Sequence, residues 1–188
     1  QNFYTEKYGV VHPTKAGLKI PQIFDAAINK EVKAVWIIGE DVVQTDPNSA
    51  HVAKAMNALD LLVVQEIFLS ETAKHADVVL PGTTFLEKDG TFTNTERRVQ
   101  RVNRAAEPLP GTKPDGVIVT DMMQKLGYDQ KTYDADEVLA EIADVVPFFK
   151  GITRERLGKL GLQWPVKEDG TDTKILHQKE FKLGKGRI

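Results

Sequence analysis

Carboxylate and amide side chains follow two of the predicted strands at the point where each strand ends. Glu40 and Asp41 come after one apolar run, and Gln65 and Glu66 come after the next. Carboxylates only accept hydrogen bonds, so they suit ribose hydroxyls or the N1–H and amino edge of guanine, and an amide adds a donor. The other interpretation is that these side chains only solvate the strand ends, as loop residues commonly do.

Two further residues extend this candidate nucleotide site. Gly39 precedes the first pair of carboxylates and would let the backbone approach a ligand closely. Lys88 lies in the loop that the third strand delivers to the same edge, where an ammonium could neutralise phosphate or bind a base carbonyl. Apart from that site, Asp115 is predicted to cap or open the next helix. The alternative for Lys88 is an ordinary solvated loop lysine.

Buried strands alternate with helices in the first half of the chain. Unbroken apolar runs such as Val35-Trp36-Ile37-Ile38 are typical of parallel strands covered on both faces. The order strand, helix, strand, helix, strand predicts parallel pairing, and ligands then favour the carboxyl edge of the sheet. No GxGxxG or P-loop pattern is present, which disfavours an ordinary dinucleotide or P-loop site. The predicted strands are 35–38, 61–64 and 77–81, and the predicted helices are 18–30 and 47–59, with Ser70 capping a third.

The second half of the chain is predicted to be less regular. Residues 91–102 indicate a hairpin that turns near Asn94-Thr95, and the next helix ends at Gly127. A further helix lies before Pro147, and the domain core is expected to end near Phe149. The predicted organisation is a linker over residues 1–16, an α/β domain over 17–150 and an extension over 151–188. That extension carries a short helix near 153–157 and weak strand signals near 174–181.

A basic run follows the hairpin turn. Because successive strand residues face opposite sides, Arg97 and Arg101 are predicted to point away from Arg98. One face could meet an anion, while the remaining arginines pair with carboxylates such as Glu96. Trp36 and Trp164 are interpreted as packing residues.

Composition excludes several classes of function. The 188 residues contain 25 Lys and Arg against 27 Asp and Glu, so no global charge draws the chain to nucleic acid. The chain has no cysteine, which excludes a thiolate nucleophile and a cysteine-held zinc or iron–sulfur cluster within it. The four histidines are too scattered to suggest a metal set. No apolar run approaches the roughly 20 residues that span a bilayer, so no membrane insertion and a cytoplasmic location are expected.

Several blocks of the chain, taken in order, closely resemble the molybdopterin oxidoreductase family, and within it the formate dehydrogenase catalytic subunits. The resemblance covers residues 17 to about 126. The blocks that carry it are Ile38-Gly39-Glu40-Asp41, Val64-Gln65-Glu66-Ile67-Phe68-Leu69-Ser70-Glu71-Thr72-Ala73, Ala76-Asp77-Val78-Val79-Leu80-Pro81, Phe85-Leu86-Glu87-Lys88-Asp89-Gly90-Thr91-Phe92-Thr93-Asn94-Thr95-Glu96-Arg97-Arg98-Val99-Gln100-Arg101 and Gly111-Thr112-Lys113-Pro114-Asp115.

The resemblance implies a three-layer αβα fold with a mainly parallel, Rossmann-like sheet, a small hairpin and an irregular C-terminal extension. It also implies binding of the guanine nucleotide end of a bis-molybdopterin guanine dinucleotide cofactor carrying molybdenum or tungsten. The implied cofactor-binding residues are Gly39, Glu40, Asp41, Gln65, Glu66, Lys88 and Asp115. The family usually has Asn-Pro at Asp41-Val42, and an aromatic residue where Gly116 follows Asp115.

The resemblance places catalysis outside this chain. The iron–sulfur cysteines, the ligand on molybdenum and the catalytic residues are expected upstream, and a β-barrel domain downstream. We therefore expect no catalytic or metal-binding residue here and no activity from the isolated chain, while the complete enzyme oxidises formate to CO2. The implied partners are the remaining domains of the same subunit and an electron-transfer subunit. Two alternatives are another molybdenum or tungsten oxidoreductase, such as nitrate reductase, and a non-catalytic nucleotide-binding or subunit-docking module.

Overall fold

The chain forms two compact units, each built from two separate segments. Unit 1 comprises Gln1–Glu87 and Ala106–Lys131, and unit 2 comprises Lys88–Ala105 and Thr132–Ile188. The structure is a computed structural model that describes residues 2–178, 180–181 and 184. These two compact units do not test the predicted division of the chain into a linker, one domain and an extension, which stays a prediction.

A parallel three-stranded sheet organises unit 1. Its strands β1 (Ala34–Ile38), β2 (Leu61–Glu66) and β3 (Val78–Pro81) lie in the order β1-β2-β3. Ile37 pairs with Val64, and Val64 pairs with Val79. The predicted parallel pairing of these strands is confirmed, and their carboxyl ends meet at one edge.

In the part of unit 1 that the structure describes there are five α-helices: α1 (Asn2–Tyr8), α2 (Ile20–Ile28), α3 (Val42–Thr45), α4 (Ser49–Ala58) and α5 (Asp115–Lys125). Short 3-10 turns cover Thr72–His75 and Phe85–Glu87. Pro21 lies in the first turn of α2, where its missing N–H costs nothing. No regular element was expected near the start of the chain, so α1 corrects the sequence analysis there.

The hydrophobic core of unit 1 lies on one face of this sheet. Ile37, Leu62 and Val64 on that face pack against α2, α4 and the turn at Thr72–His75. The fully or nearly buried core residues are Phe24, Ala27, Ile37, Val42, Val52, Ala55, Met56, Leu62, Val64 and Ala73. On the opposite face, Ile38 and Val78 remain 49% and 42% exposed. Helices therefore cover one face closely and leave part of the other open.

The chain leaves unit 1 after Glu87 and returns to it at the same place. The N–H of Ala106 donates to the carbonyl of Leu86 at 3.0 Å. The segment Lys88–Ala105, which is 18 residues long by its bounds, therefore begins and ends next to a hydrogen-bonded pair of residues, Leu86 and Ala106.

The described residues of unit 2 form an antiparallel sheet and two further α-helices. Strands β4 (Gly90–Thr93), β5 (Arg98–Val102) and β6 (Leu162–Gln163) lie in the order β4-β5-β6. The predicted hairpin is thus confirmed. Helices α6 (Ala135–Val145) and α7 (Arg154–Leu157) begin at side-chain caps, since Asp134 accepts from the N–H of Glu137 and Thr153 accepts from that of Arg156.

The core of unit 2 extends beyond the expected end near Phe149. Its buried members are Val99, Leu139, Ile152, Leu157 and Val166, with Phe149, Leu162 and Trp164 packed against them. The strand expected near 174–181 is wrong for residues 174–178, which form turns, while residue 179 and others beyond it lie outside the described residues. Within the described ranges, no helix is long and apolar enough to cross a membrane.

Candidate functional site

Main-chain hydrogen bonds join the carboxyl ends of the strands of unit 1 into a continuous row. The N–H of Gly39 donates to the carbonyl of Gln65 at 2.9 Å, and that of Gly82 donates to Glu66 at 3.0 Å. The N–H of Lys113 then donates to Pro81 at 3.1 Å, and a parallel bridge pairs Gly82 with Lys113. The loops after β1, β2 and β3 and the segment before α5 therefore meet at one edge.

The loop after β1 begins with a left-handed residue. Gly39 has φ +63, and among the described residues other than its two chain neighbours, no atom lies within 4 Å of the point where its side chain would begin. Glycine adopts this conformation without steric cost, and the open space lets another molecule approach the backbone. Glu40 is exposed, and its Oε1 accepts a hydrogen bond from the hydroxyl of Thr45 at 2.7 Å.

Asp41 uses both carboxylate oxygens to hold the loop that follows β2. Its Oδ1 accepts from the N–H and hydroxyl of Thr72 at 2.9 and 2.6 Å, and its Oδ2 accepts from the N–H of Glu71 at 3.2 Å. Burial raises the pKa of the Asp41 carboxyl, but the bonds from Thr72 and Glu71 outweigh it and hold that pKa below 3.8. The charged carboxylate therefore joins two loops of the site.

The end of β2 places an amide and a carboxylate on opposite faces. The Gln65 side chain is 0% exposed, and its Nε2 donates to Oδ1 of Asp115 at 2.8 Å. Glu66 is half-buried, and its Oε1 accepts from the N–H of Ile67 at 2.7 Å. Among the described residues, Oε1 of Gln65 has no hydrogen-bond donor.

Asp115 stands at the first position of α5. A carboxylate in the first helical turn interacts favourably with the positive end of the helix dipole. Gly82 lies against the same carboxylate, since a side-chain carbon at this glycine would sit 3.1 Å from Oδ1 of Asp115. An open cavity of about 260 Å³ lies nearby, lined by the end of β3, the segment 111–113 and one side of α5.

The structure brings together six of the seven predicted residues. Gly39, Glu40, Asp41, Gln65, Glu66 and Asp115 belong to unit 1 and share the strand edge. Lys88 is half-buried and is the first residue of unit 2. Its predicted place at the same edge stays a prediction.

Sequence reasoning missed three residues that shape this edge: Thr72, Gly82 and Glu87. Glu87 is only 8% exposed, and its carboxylate accepts from the N–H and hydroxyl of Thr84 at 2.8 and 2.9 Å and from the N–H of Leu109 at 3.0 Å. These bonds from Thr84 hold the pKa of the Glu87 carboxyl below 4.5 despite burial. The sequence indicates this role of Glu87 only by its position next to Lys88, and a glutamate in a loop is usually interpreted as a solvated residue.

Arg97 has a structural role in unit 2. It lies in the turn before β5 with φ +67, so the strand-face prediction for Arg97 is wrong. Its guanidinium donates to the carbonyls of Trp164, Thr173 and Lys174 and lies over the Trp164 ring, 5.7 Å from the centroid. Trp164 also stacks near Phe149, which confirms the packing role predicted for that tryptophan. Across the described part of the chain, no three His, Cys, Asp or Glu residues form a potential metal site.

Comparison with known proteins agrees with this architecture. The family profile described as molybdopterin oxidoreductase matches residues 9–125. The F420-dependent formate dehydrogenase subunit alpha of Methanocaldococcus jannaschii is 46% identical over 92% of this chain and 26% of its own length. Staphylococcus aureus (strain USA300) and Staphylococcus haemolyticus have proteins named as formate dehydrogenases that are each 42% identical over 98% of this chain and 19% of their own length.

A solved structure shows the same fold at lower identity. Acetylene hydratase from Pelobacter acetylenicus superposes with a TM-score of 0.61 and 22% identity, covering 77% of this chain and 20% of that one. The chain spans about a fifth to a quarter of the length of the curated relatives it matches. The matched profile and these identities show that the chain belongs to the molybdopterin oxidoreductase family.

Proposed function

We propose that this chain is the part of a formate dehydrogenase catalytic subunit that binds the guanine nucleotide end of a molybdopterin guanine dinucleotide. The observation that supports this most directly is the hydrogen-bonded row of strand ends, which gathers Gly39, Glu66 and Asp115 at one edge of unit 1. Parallel α/β sheets bind ligands in the crevice beyond this edge. Relatives that match nearly the whole length of this chain are named formate dehydrogenases, and this supports formate as the substrate.

The residues at this edge fit a guanine nucleotide. The Asp115 carboxylate accepts hydrogen bonds, as the N1–H and 2-amino group of guanine require, whereas adenine presents an acceptor at N1. Gly39 leaves space for close approach of a ligand to the backbone. Gly39, Glu40, Glu66 and Asp115 would hold the nucleotide, with Lys88 near its phosphates or base carbonyl. Asp41 and Gln65 complete the predicted set.

This chain contributes binding, and the chemistry belongs to the complete enzyme. The bound molybdenum or tungsten pterin supplies two-electron transfer for oxidation of formate to CO2. An iron–sulfur cluster and all catalytic residues would lie outside this chain, in the remaining domains of the subunit. An electron-transfer subunit is the expected partner, and the cytoplasm is the expected location.

The proposal includes a three-layer αβα arrangement in the complete subunit. One face of the sheet in unit 1 is already packed against helices, while Ile38, Leu61 and Val78 remain 49%, 42% and 42% exposed on the other. Burial of such apolar strand residues is favourable. Further parts of the subunit would therefore complete the second helical layer.

A nucleotide comparison tests the binding proposal. Guanosine monophosphate should raise the melting temperature of the 188-residue chain more than adenosine monophosphate does. Asp115→Asn replaces an acceptor by a donor and should remove this difference. Equal shifts with the two nucleotides would count against guanine recognition.

An electron-transfer assay tests the division of labour. The complete enzyme should reduce an artificial dye when formate is supplied, and the isolated chain should not. Formate-dependent dye reduction by the isolated chain would contradict the proposed binding-only role.

A further inference from the structure

Gln65 is a fully buried polar side chain at the centre of the strand edge. It is 0% exposed and lies in β2, paired in register with Ile38 of β1 and Leu80 of β3. A buried amide is costly unless its polar atoms are hydrogen-bonded. A fully buried glutamine in the middle of a sheet therefore indicates a role other than apolar packing.

The Gln65 amide has one defined partner. Its Nε2 donates to Oδ1 of Asp115 at 2.8 Å, across 50 residues of sequence. A carboxylate only accepts hydrogen bonds, so the NH2 group of the amide must face it. This orientation leaves Oε1 of Gln65 without a donor among the described residues.

The same carboxylate oxygen is confined from a second side. A side-chain carbon at Gly82 would lie 3.1 Å from Oδ1 of Asp115, a separation tight enough to force a shift. The Gln65 amide therefore bonds to Oδ1, and the lack of a side chain at Gly82 leaves room for this oxygen. An ionised carboxylate has roughly four acceptor positions, so it can accept from Gln65 and from further donors at the same time.

We propose that Gln65 is a positioning residue: it holds the Asp115 carboxylate in the orientation that discriminates guanine from adenine and does not itself touch the nucleotide. This inference rests on the proposed function, because it assigns the role of one residue in the same site. Recognition of a base edge depends on an acceptor that is held in place. A carboxylate that can rotate loses conformational entropy when the base binds, and this loss weakens binding.

The test compares two buried glutamines. Gln65→Leu removes the amide at similar size, and Gln163→Leu is the matched control, since Gln163 is 8% exposed and donates to the carbonyl of Glu96 in unit 2. Binding of guanosine and adenosine monophosphate to the 188-residue chain is measured by calorimetry, with circular dichroism confirming that each variant is folded.

The expected result is a loss of discrimination. Gln65→Leu should weaken guanosine monophosphate binding by about tenfold or more while changing adenosine monophosphate binding by less than about twofold. A misoriented Asp115 carboxylate would lose a charge-assisted bond to guanine, and such a bond is of that size. Gln163→Leu should change neither. Gln65→Leu combined with Asp115→Asn should bind no more weakly than Asp115→Asn alone, since both act through one carboxylate.

Two outcomes separate this inference from the proposed function. If Asp115→Asn abolishes the preference and Gln65→Leu leaves it intact, the site recognises guanine and the positioning role is overturned. If the unmodified chain shows no preference, the proposed function fails, and the guanine role of Gln65 fails with it. Urea unfolding of Gln65→Leu, Asp115→Ala and the double variant then decides the ligand-free question, because additive losses in the free energy of unfolding would show that Gln65 does not hold Asp115 at all.

Discussion

Removal of the Asp41 carboxylate should destabilise unit 1 even though the side chain stands in a polar loop. Asp41 accepts two hydrogen bonds from Thr72, which is 0% exposed, and one from the N–H of Glu71. In Asp41→Ala the N–H and hydroxyl of Thr72 lose their acceptor in a buried place. An unsatisfied buried donor costs about 1–3 kcal/mol, and water can reach part of the loop, so we expect a loss of about 2–3 kcal/mol.

Urea unfolding measures this loss. The change should lower the urea midpoint by about 1 M, because small proteins lose about 1–3 kcal/mol of stability per molar urea. A Trp164→Phe background leaves Trp36 of β1 as the only tryptophan, so its fluorescence reports on unit 1. Asp41→Asn keeps an acceptor for Thr72 and should lose about 1 kcal/mol.

The neighbouring carboxylate provides the control. Glu40 is exposed and accepts only from the exposed hydroxyl of Thr45 among the described residues, so Glu40→Ala should change stability by less than about 0.5 kcal/mol. An Asp41→Ala variant that unfolds at the same urea concentration as Glu40→Ala would refute the reasoning. It would mean that solvent satisfies both donors of Thr72.

Three further predictions follow from particular contacts. Folding lowers the pKa values of the Asp41 and Glu87 carboxyls. Their contribution to the stability of the fold is therefore complete above the unfolded pKa values of 3.8 and 4.5, and it is lost as pH falls through the lower folded pKa values. In acid unfolding experiments, the stability of Asp41→Asn should accordingly fall less steeply with decreasing pH. Gly82→Ala should weaken guanosine monophosphate binding severalfold by crowding the carboxylate beyond it, whereas Gly17→Ala, with open space around it, should not. Arg97→Lys should lower the melting temperature of unit 2 and increase proteolysis near residues 164–174, because one ammonium cannot span three carbonyls.

The sequence predicted the parallel sheet because each strand is a short, continuous apolar run between loop residues. Val35-Trp36-Ile37-Ile38 and Leu61-Leu62-Val63-Val64 needed no long-range information to be identified as strands. The convergence of polar residues at one edge also followed, since parallel strands share their direction. The resemblance to the family then selected Asp115, which periodicity alone did not connect with β2.

The roles of individual side chains could not be predicted because they depend on contacts between distant residues. Asp41 bonds to a residue 31 positions away, and Gln65 to one 50 positions away. Arg97 does not lie on the predicted strand face, because it occupies the turn before β5 in a left-handed conformation. The helix at Asn2–Tyr8 has only 7 residues, which are too few for a repeating apolar pattern to be recognised.

The hydrogen bond between Ala106 and Leu86 makes residues 88–105 an insertion in unit 1. Because the two ends of this excursion are adjacent, a short loop could replace it without moving Glu87 or the segment that leads to Asp115. Sites where the chain leaves and re-enters at one point are those at which proteins accept inserted domains. The strand edge of unit 1 thus does not depend on the β4–β5 hairpin for the continuity of its chain, and changes of sequence or length within the hairpin would leave that edge undisturbed.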